Sequence, residues 1–254
     1  MIVKNIDNGN SFDFGKTSSE YAKYRDIYPE IMYKKLYALG VGKENSNWLD
    51  IGTGTGVLPF NLCSYGADIT GIDISESQIE VAKALAVEKG VHNVKFLVSP
   101  AETTPFEDNS FDCITAAQCF WYFDRDSIID EIKRLIKPGG VFVKIYMSYT
   151  LDDEIAEKSH ELVKKMNKNW TPGASGSKDM YNHPFENGTL DIFEYRIPFT
   201  RESWHGRMLA CRGTMASMDE KTLAEWNIKH NELLAEFPET FEIEHKVYIA
   251  LYRL

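Results

Sequence analysis

Residues 48–56 read Trp48-Leu49-Asp50-Ile51-Gly52-Thr53-Gly54-Thr55-Gly56, an apolar strand that breaks into glycines just before Val57, Leu58, Phe60 and Leu62 begin a helical pattern. Glycines at a strand-to-helix turn let a ligand approach bare backbone. The exposed N–H groups and the helix N-terminus there favour a carboxylate or a phosphate, so the turn alone does not name its ligand. Spacing does more. A dinucleotide fingerprint requires G-x-G-x-x-G, but position 57 is valine and the third glycine stands one place early, at Gly56. Asp50 lies two residues before the first glycine. An anion at that point repels a pyrophosphate and accepts hydrogen bonds from a ligand ammonium, which matches a zwitterion. Asp73 closes the next apolar run, where a carboxylate can accept from two vicinal ribose hydroxyls.

Working outward, short β-rich runs alternate with helical stretches: Asn47–Ile51, Asp68–Asp73, Val94–Val98, Phe111–Ala117 and Val141–Met147. This rhythm predicts parallel strands joined by helical crossovers. Ser75 with Gln78 spells a capping box, Ile79, Ala82, Leu85 and Ala86 form one stripe, and Gly90 closes that helix. A second crossover helix starts near Asp124 or Asp126, carries Ile128, Ile129, Ile132, Leu135 and Ile136, and stops at a Lys137-Pro138-Gly139-Gly140 turn. A doubly wound sheet of this kind binds its ligand beyond the C-terminal strand ends, at the switch in strand order.

The flanks complete the expected organisation of a single domain over residues 1–254. Residues 1–40 read as an N-terminal helical cover, in which Thr17 and Glu20 spell a capping box for a helix carrying Tyr21, Tyr24 and Tyr28, and Pro29 opens another ending near Gly40. Residues 41–149 hold the ligand-binding core, and 150–190 form a helical insertion with a helix from Thr150 to Trp170 and a lid-like Thr171–Ser177 stretch. In 191–254, Phe193–Thr200 and Phe241–Arg253 read as strands completing the sheet. Between them Asp219 caps a helix with Leu223, Trp226, His230, Leu233 and Phe237 on its apolar face.

With these motifs in order, the chain resembles the class I S-adenosylmethionine-dependent methyltransferases, in particular the small-molecule type 11 group. The resemblance covers roughly residues 47–147. It implies an α/β fold, a doubly wound, mostly parallel seven-stranded sheet of Rossmann-like methyltransferase type, with N-terminal helices and a helical substrate lobe. It implies S-adenosyl-L-methionine as cofactor, leaving S-adenosyl-L-homocysteine as product. Asp50, Gly52, Thr53, Gly54 and Gly56 would surround the methionyl part, Asp73 would hold the ribose, and Ile74 would pack on the adenine. Ser99-Pro100-Ala101-Glu102 matches the segment in which Ala101 and Glu102 border the adenine. Gln118, heading Gln118-Cys119-Phe120-Trp121-Tyr122, would contact both cofactor and substrate, with Trp121 and Tyr122 on the substrate side. Tyr21-Ala22-Lys23-Tyr24-Arg25-Asp26-Ile27-Tyr28-Pro29 is similar to the Y-x-x-x-R-x-x-Y-P pattern of trans-aconitate methyltransferase-like proteins, which would place Tyr21 and Arg25 over the cofactor carboxylate.

For the acceptor side, Trp204, Arg207 and Cys211 fall on one face of a helix over Ser203–Arg212, and Trp204 and Arg207 are candidate substrate contacts. His183 and His205 are the histidines considered as bases, since imidazole titrates near neutrality. Alignment of an acceptor lone pair behind a sulfonium methyl needs no protein base, so the catalytic residue stays unassigned. Phe14-Gly15-Lys16-Thr17 fails as a phosphate loop, because Asn10 stands where a glycine is required.

The 254 residues are 43% apolar and 26% charged, an ordinary globular composition. With 28 Lys and Arg against 38 Asp and Glu, the net charge of −10 disfavours nucleic acid and fits a small-molecule partner. No apolar run approaches the roughly 18 residues of a membrane span, and the opening MIVKNIDNGN lacks the core of a signal peptide, so the expected address is cytoplasmic. Cys63, Cys113, Cys119 and Cys211 form no C-x-x-C pair, so no metal site is expected. Two alternatives to the methyltransferase remain at this point: a non-catalytic cofactor-binding or partner-binding protein, and a nicotinamide-dependent oxidoreductase that the glycine spacing and Asp50 oppose.

Overall fold

The computed structural model describes residues 6–171 and 178–254. The expected lid at Thr171–Ser177 falls outside the described residues from Pro172 onward. Seven strands form one sheet in the order β3-β2-β1-β4-β5-β7-β6. They are β1 (Asn47–Ile51), β2 (Asp68–Asp73), β3 (Val94–Val98), β4 (Phe111–Ala117), β5 (Ile136–Tyr149), β6 (Thr189–Thr200) and β7 (Thr240–Arg253). The pairs β1–β2, β1–β4, β2–β3 and β4–β5 are parallel. Strand order therefore switches at β1, which has β2 on one side and β4 on the other. This is the Rossmann-like α/β architecture.

The chain divides into two compact units. The first holds Tyr28–Tyr146, the segment ending at Ile192, and Val247–Leu254; the second holds the segment ending at Ile27, the one beginning at Met147, and Phe193–Lys246. Strands β5, β6 and β7 each contribute residues to both.

In the first unit, α2 (Glu30–Leu39) follows Pro29 and ends at Gly40, whose φ of 114° only glycine adopts easily. The turn after β1 feeds α3 (Val57–Leu62), and α4 (Glu76–Glu88) begins where the Ser75 side chain accepts from Gln78 N. Only half of the expected box forms there, because Ser75 N donates to Asp73 Oδ1. In α5 (Arg125–Leu135), capped by Asp124, the buried residues Ile128, Ile132 and Leu135 lie in one cluster with Leu49, Ile51, Ile114 and Phe142. Each such side chain contributes about 1.5–3 kcal/mol on burial.

The Pro138-Gly139 segment does not sit in a separate turn. Ile136 pairs with Phe111 and Val141 with Cys113, so the extra residues bulge within β5, where Gly139 takes a φ of 81°.

In the second unit, α1 (Ser18–Tyr24) lacks the capping box that Thr17 and Glu20 spell, since the Thr17 hydroxyl donates to Phe14 O instead. Helix α6 (Glu154–Met166) is shorter than the expected 150–170, because Asp153 accepts from Ile155 N and Ala156 N and so fixes its start. Helix α7 (Arg201–Leu209) begins with a capping box between Thr200 and Ser203. Helix α8 (Glu220–Ala235) is capped by Asp219 and buries Trp226, His230 and Leu234, a stripe centred one position away from Leu233. No helix among the described residues is long and apolar enough to cross a membrane.

Candidate active site

The glycine turn lies at the switch point, directly after β1. Gly52, Gly54 and Gly56 have φ of 63°, 58° and 83°, so each occupies the left-handed region that a side chain resists. Space is equally restrictive: a Cβ at Gly52 would stand 2.7 Å from Cys119 Sγ, and one at Gly56 would stand 2.6 Å from the Phe96 ring. The turn is pinned to the sheet by Thr53 N, which donates to Ile72 O at 2.9 Å, and closed by Gly56 N donating to Thr53 O at 3.0 Å.

Asp50 does not present its carboxylate to a ligand ammonium. It is 2% exposed, and its oxygens accept from Thr53 Oγ1 at 2.7 Å and Thr115 Oγ1 at 2.5 Å. Trp48 Nε1 donates in turn to the Thr115 hydroxyl at 2.8 Å. Asp50 is thus a buried brace that ties the glycine turn to β4, where register places Thr115 opposite it. Burial pushes its carboxyl up to about 7, against the two hydroxyl donors, and the charge of Asp73 adds to the rise.

Asp73 ends β2 with its carboxylate over the turn. Oδ2 accepts from Gly54 N at 3.0 Å and Oδ1 from Ser75 N at 2.9 Å. With Ile74 N also donating, the carboxylate still keeps acceptor capacity for a ribose hydroxyl. Burial raises this carboxyl, and the backbone donors at Ser75, Gly54 and Ile74 oppose the rise. Ile74 beside it is 60% exposed, an apolar platform next to a carboxylate.

Ala101 is buried, and Glu102 Oε1 accepts from Asp124 N at 3.1 Å. Their loop is anchored by Thr104, whose N and Oγ1 both donate to Glu131 Oε1, at 2.8 and 2.6 Å. Gln118 follows β4 with a φ of 63°, rare for a non-glycine residue, and its N donates to Ile145 O. Trp121 packs edge-on against Tyr146 at 5.1 Å and touches Tyr122 at 5.3 Å.

Asp50, Gly52, Thr53, Gly54, Gly56, Asp73, Ile74, Ala101, Glu102, Gln118, Trp121 and Tyr122 all belong to the first unit, and Tyr21, Arg25, Trp204 and Arg207 to the second. There the Arg25 guanidinium lies over the Tyr21 ring at 5.1 Å. Trp204 is corrected from a substrate contact to a core residue: it is fully enclosed, and its indole N–H donates to Ser159 Oγ at 3.0 Å. His205 is stacked on Trp226 and His230, and His183 Nδ1 is 2.8 Å from the Tyr252 hydroxyl.

Two site residues escaped the sequence reading. Thr115 is a polar residue inside the apolar run Phe111–Ala117, a signal that was legible. Cys119, whose thiol donates to Ile51 O at 3.2 Å, becomes visible only once the Gly52 backbone is placed beneath it. Burial and the nearby carboxylates, Asp50 first among them, hold that thiol well above its ordinary range, in its protonated form.

The residues fit S-adenosylmethionine. The Thr55 hydroxyl in the turn is buried without a hydrogen-bond partner, the Asp73 carboxylate has acceptor capacity left, and the glycine backbone is bare.

Comparison with known proteins agrees. A family profile described as a methyltransferase domain matches residues 42–189. The chain is 30% identical over 190 residues to the uncharacterized methyltransferase YcgJ of Bacillus subtilis, covering 72% of each chain. It is 32% identical over 188 residues to the ubiquinone/menaquinone biosynthesis C-methyltransferase UbiE of Brucella canis, covering 68% of each. Among solved structures, a putative type II methyltransferase from Anaeromyxobacter dehalogenans superposes with a TM-score of 0.60 at 22% identity, over 89% of this chain and 95% of that one.

Proposed function

Since the chain belongs to the S-adenosylmethionine-dependent methyltransferases, we propose that it methylates a small-molecule acceptor, a carboxylate-bearing one among the candidates, using S-adenosyl-L-methionine held along the glycine turn. The observation that carries this reading is Asp73, which braces Gly54 N and Ser75 N while keeping lone pairs for a ribose. When bound, S-adenosylmethionine supplies a sulfonium methyl group, which passes to the acceptor as the methyl–sulfur bond breaks and sulfur keeps the electron pair.

The protein's own residues bind and orient. The N–H groups of the turn and the N-terminus of α3 attract the carboxylate end of the methionyl part. Asp73 takes the ribose hydroxyls and Ile74 the adenine face. Gln118, locked by its left-handed backbone, directs its side chain to the reacting end, with Trp121 and Tyr122 offering ring faces to the acceptor. No general base is needed if the acceptor arrives ionised, since proximity and alignment then supply the rate. The net charge of −10 argues against nucleic acid as the acceptor. The name of the Brucella relative, a methyltransferase of quinone biosynthesis, points the same way. Four free cysteines support a cytoplasmic address.

The test is calorimetric titration with S-adenosylmethionine and S-adenosylhomocysteine, followed by labelled methyl transfer to a metabolite extract and, in parallel, to tRNA. Cofactor binding with label entering the metabolite fraction supports the reading. Label entering only tRNA refutes the small-molecule acceptor, and folded protein that binds neither ligand refutes the whole.

A further inference from the structure

In the second unit, α7 carries an arginine that the fold leaves electrically incomplete. Arg207 is 4% exposed. Its neighbours in sequence are paired, Arg201 with Glu239 and Arg212 with Asp7, but Arg207 pairs with no carboxylate among the described residues. Its Nη1 donates to Cys211 Sγ at 2.8 Å, and its Nε is buried with no partner at all. That sulfur is a weak acceptor, because the thiol proton is already directed at Arg207 O at 3.3 Å. Burying a guanidinium against a thiol and two rings costs far more than it returns unless a counter-charge arrives.

A second cation converges on the same atom. Arg25 Nη1 lies 3.8 Å from Cys211 Sγ, with its guanidinium over Tyr21. The Arg207 guanidinium covers the Tyr149 ring at 4.9 Å and the Trp204 ring at 5.7 Å. Behind them His245 is fully buried, donates from Nδ1 to Ile243 O at 3.0 Å, and has an Nε2 without a partner. Burial first, then the charges of Arg207 and Arg25, push His245 down to about 3, so it stays neutral and adds no further positive charge. Arg25, Tyr149 and Cys211 are half-buried and form the outer side of the cluster, with Arg207 enclosed within it.

We infer that Arg207 and Arg25 form a site for the oxyanion group of a small-molecule ligand, a carboxylate or a phosphate, seated against the free Nε edge of Arg207 between the Tyr21 and Tyr149 rings. A planar guanidinium edge matches either group through paired, charge-assisted hydrogen bonds. The inference stands on the second unit alone, so a failure of cofactor binding leaves it untouched.

The experiment titrates the full chain with citrate, with inorganic phosphate, and with chloride at matched ionic strength, reading tryptophan fluorescence and Tm. A saturable response to citrate alone identifies a carboxylate ligand, to phosphate alone a phosphate ligand, and to both the shared oxyanion chemistry; chloride gives none. R207M is expected to raise the Kd at least about tenfold. In chloride it should unfold no earlier than the wild type, because an apolar chain replaces an unpaired buried cation. R25Q, altering a half-buried residue, should weaken binding in the same direction, and it carries the test if R207M does not fold. Absence of any saturable response overturns the site. So does a response unchanged in R207M, or in R25Q where R207M does not fold. An R207M protein that loses stability in chloride yet keeps the citrate or phosphate response makes Arg207 a packing strut between Tyr149 and Trp204.

Discussion

Asp73 receives backbone donors on both oxygens, so replacing it removes a brace as well as a ligand contact. D73N is expected to weaken S-adenosylmethionine about ten- to hundredfold, the scale of lost charged hydrogen bonds, as read by calorimetry. Asp50 gives a different signature. Its carboxyl, pushed up to about 7 by burial, stays protonated in the folded chain where an unfolded carboxyl, at about 3.9, has already ionised. Its contribution to stability is therefore full below about pH 4 and is lost as the pH rises through 7, a dependence that D50N should flatten in a Tm series. The sequence made the glycine turn and the strand end at Asp73 legible, whereas Ile74 enters only through the family resemblance. It misassigned Asp50, because the Thr53 and Thr115 hydroxyls that occupy its oxygens come from opposite sides, one from the turn and one from a strand 65 residues away. Trp204 was misread for a related reason: a helical face shows which residues travel together, and Ser159, the partner that draws this indole inward, lies on another helix.

At the level of elements, the side-chain caps were the most readable feature where an acidic residue stands at the start of a helix, as at Asp124 and Asp219, whereas the cap at Asp153 was hidden inside a longer helical stretch. D153A is expected to cost about 1 kcal/mol, seen as a lower urea midpoint at unchanged slope, since Asp153 holds two N–H groups of α6. Thr17 shows the limit of such reading, because a hydroxyl that finds a preceding carbonyl first, here Phe14 O, leaves the cap unmade. Strands β1 to β4 were legible from their apolar runs, whereas β5 begins at Ile136, ahead of the expected Val141. The strand register was not legible, and neither was the bulge in β5, because pairing depends on what lies alongside. Packing between elements also couples positions: a Cβ at Gly71 of β2 would meet the Phe96 ring of β3 at 2.8 Å and Thr53 Oγ1 at 2.8 Å. G71A should therefore destabilise by about 1–3 kcal/mol in chemical denaturation, and F96L should recover part of that loss by vacating the space.

Across the whole molecule, two fully buried histidines set the response to acid. His230 and His245 are each held at about 3 in the folded chain, by burial first and by a neighbouring imidazole or guanidinium second, against an ordinary value near 6.5. Unfolding releases both to take up protons, so stability is fully present above about pH 6.5 and is lost progressively as the pH falls toward 3. The loss is on the order of 1 kcal/mol per pH unit for each histidine. A Tm series between pH 7.5 and 5 should show this slope, reduced by the opposite contribution of Asp50, in the wild type and a shallower one in H230Q. The order of strands has a consequence in time as well. β6 stands at the end of the sheet with β7 as its neighbour, and β7 is made last. On the ribosome, at roughly 5–20 residues per second, β6 waits some seconds with both edges open. A nascent chain in that interval is a target for holdase chaperones, and slowing translation between β6 and β7 should lower the yield of native protein.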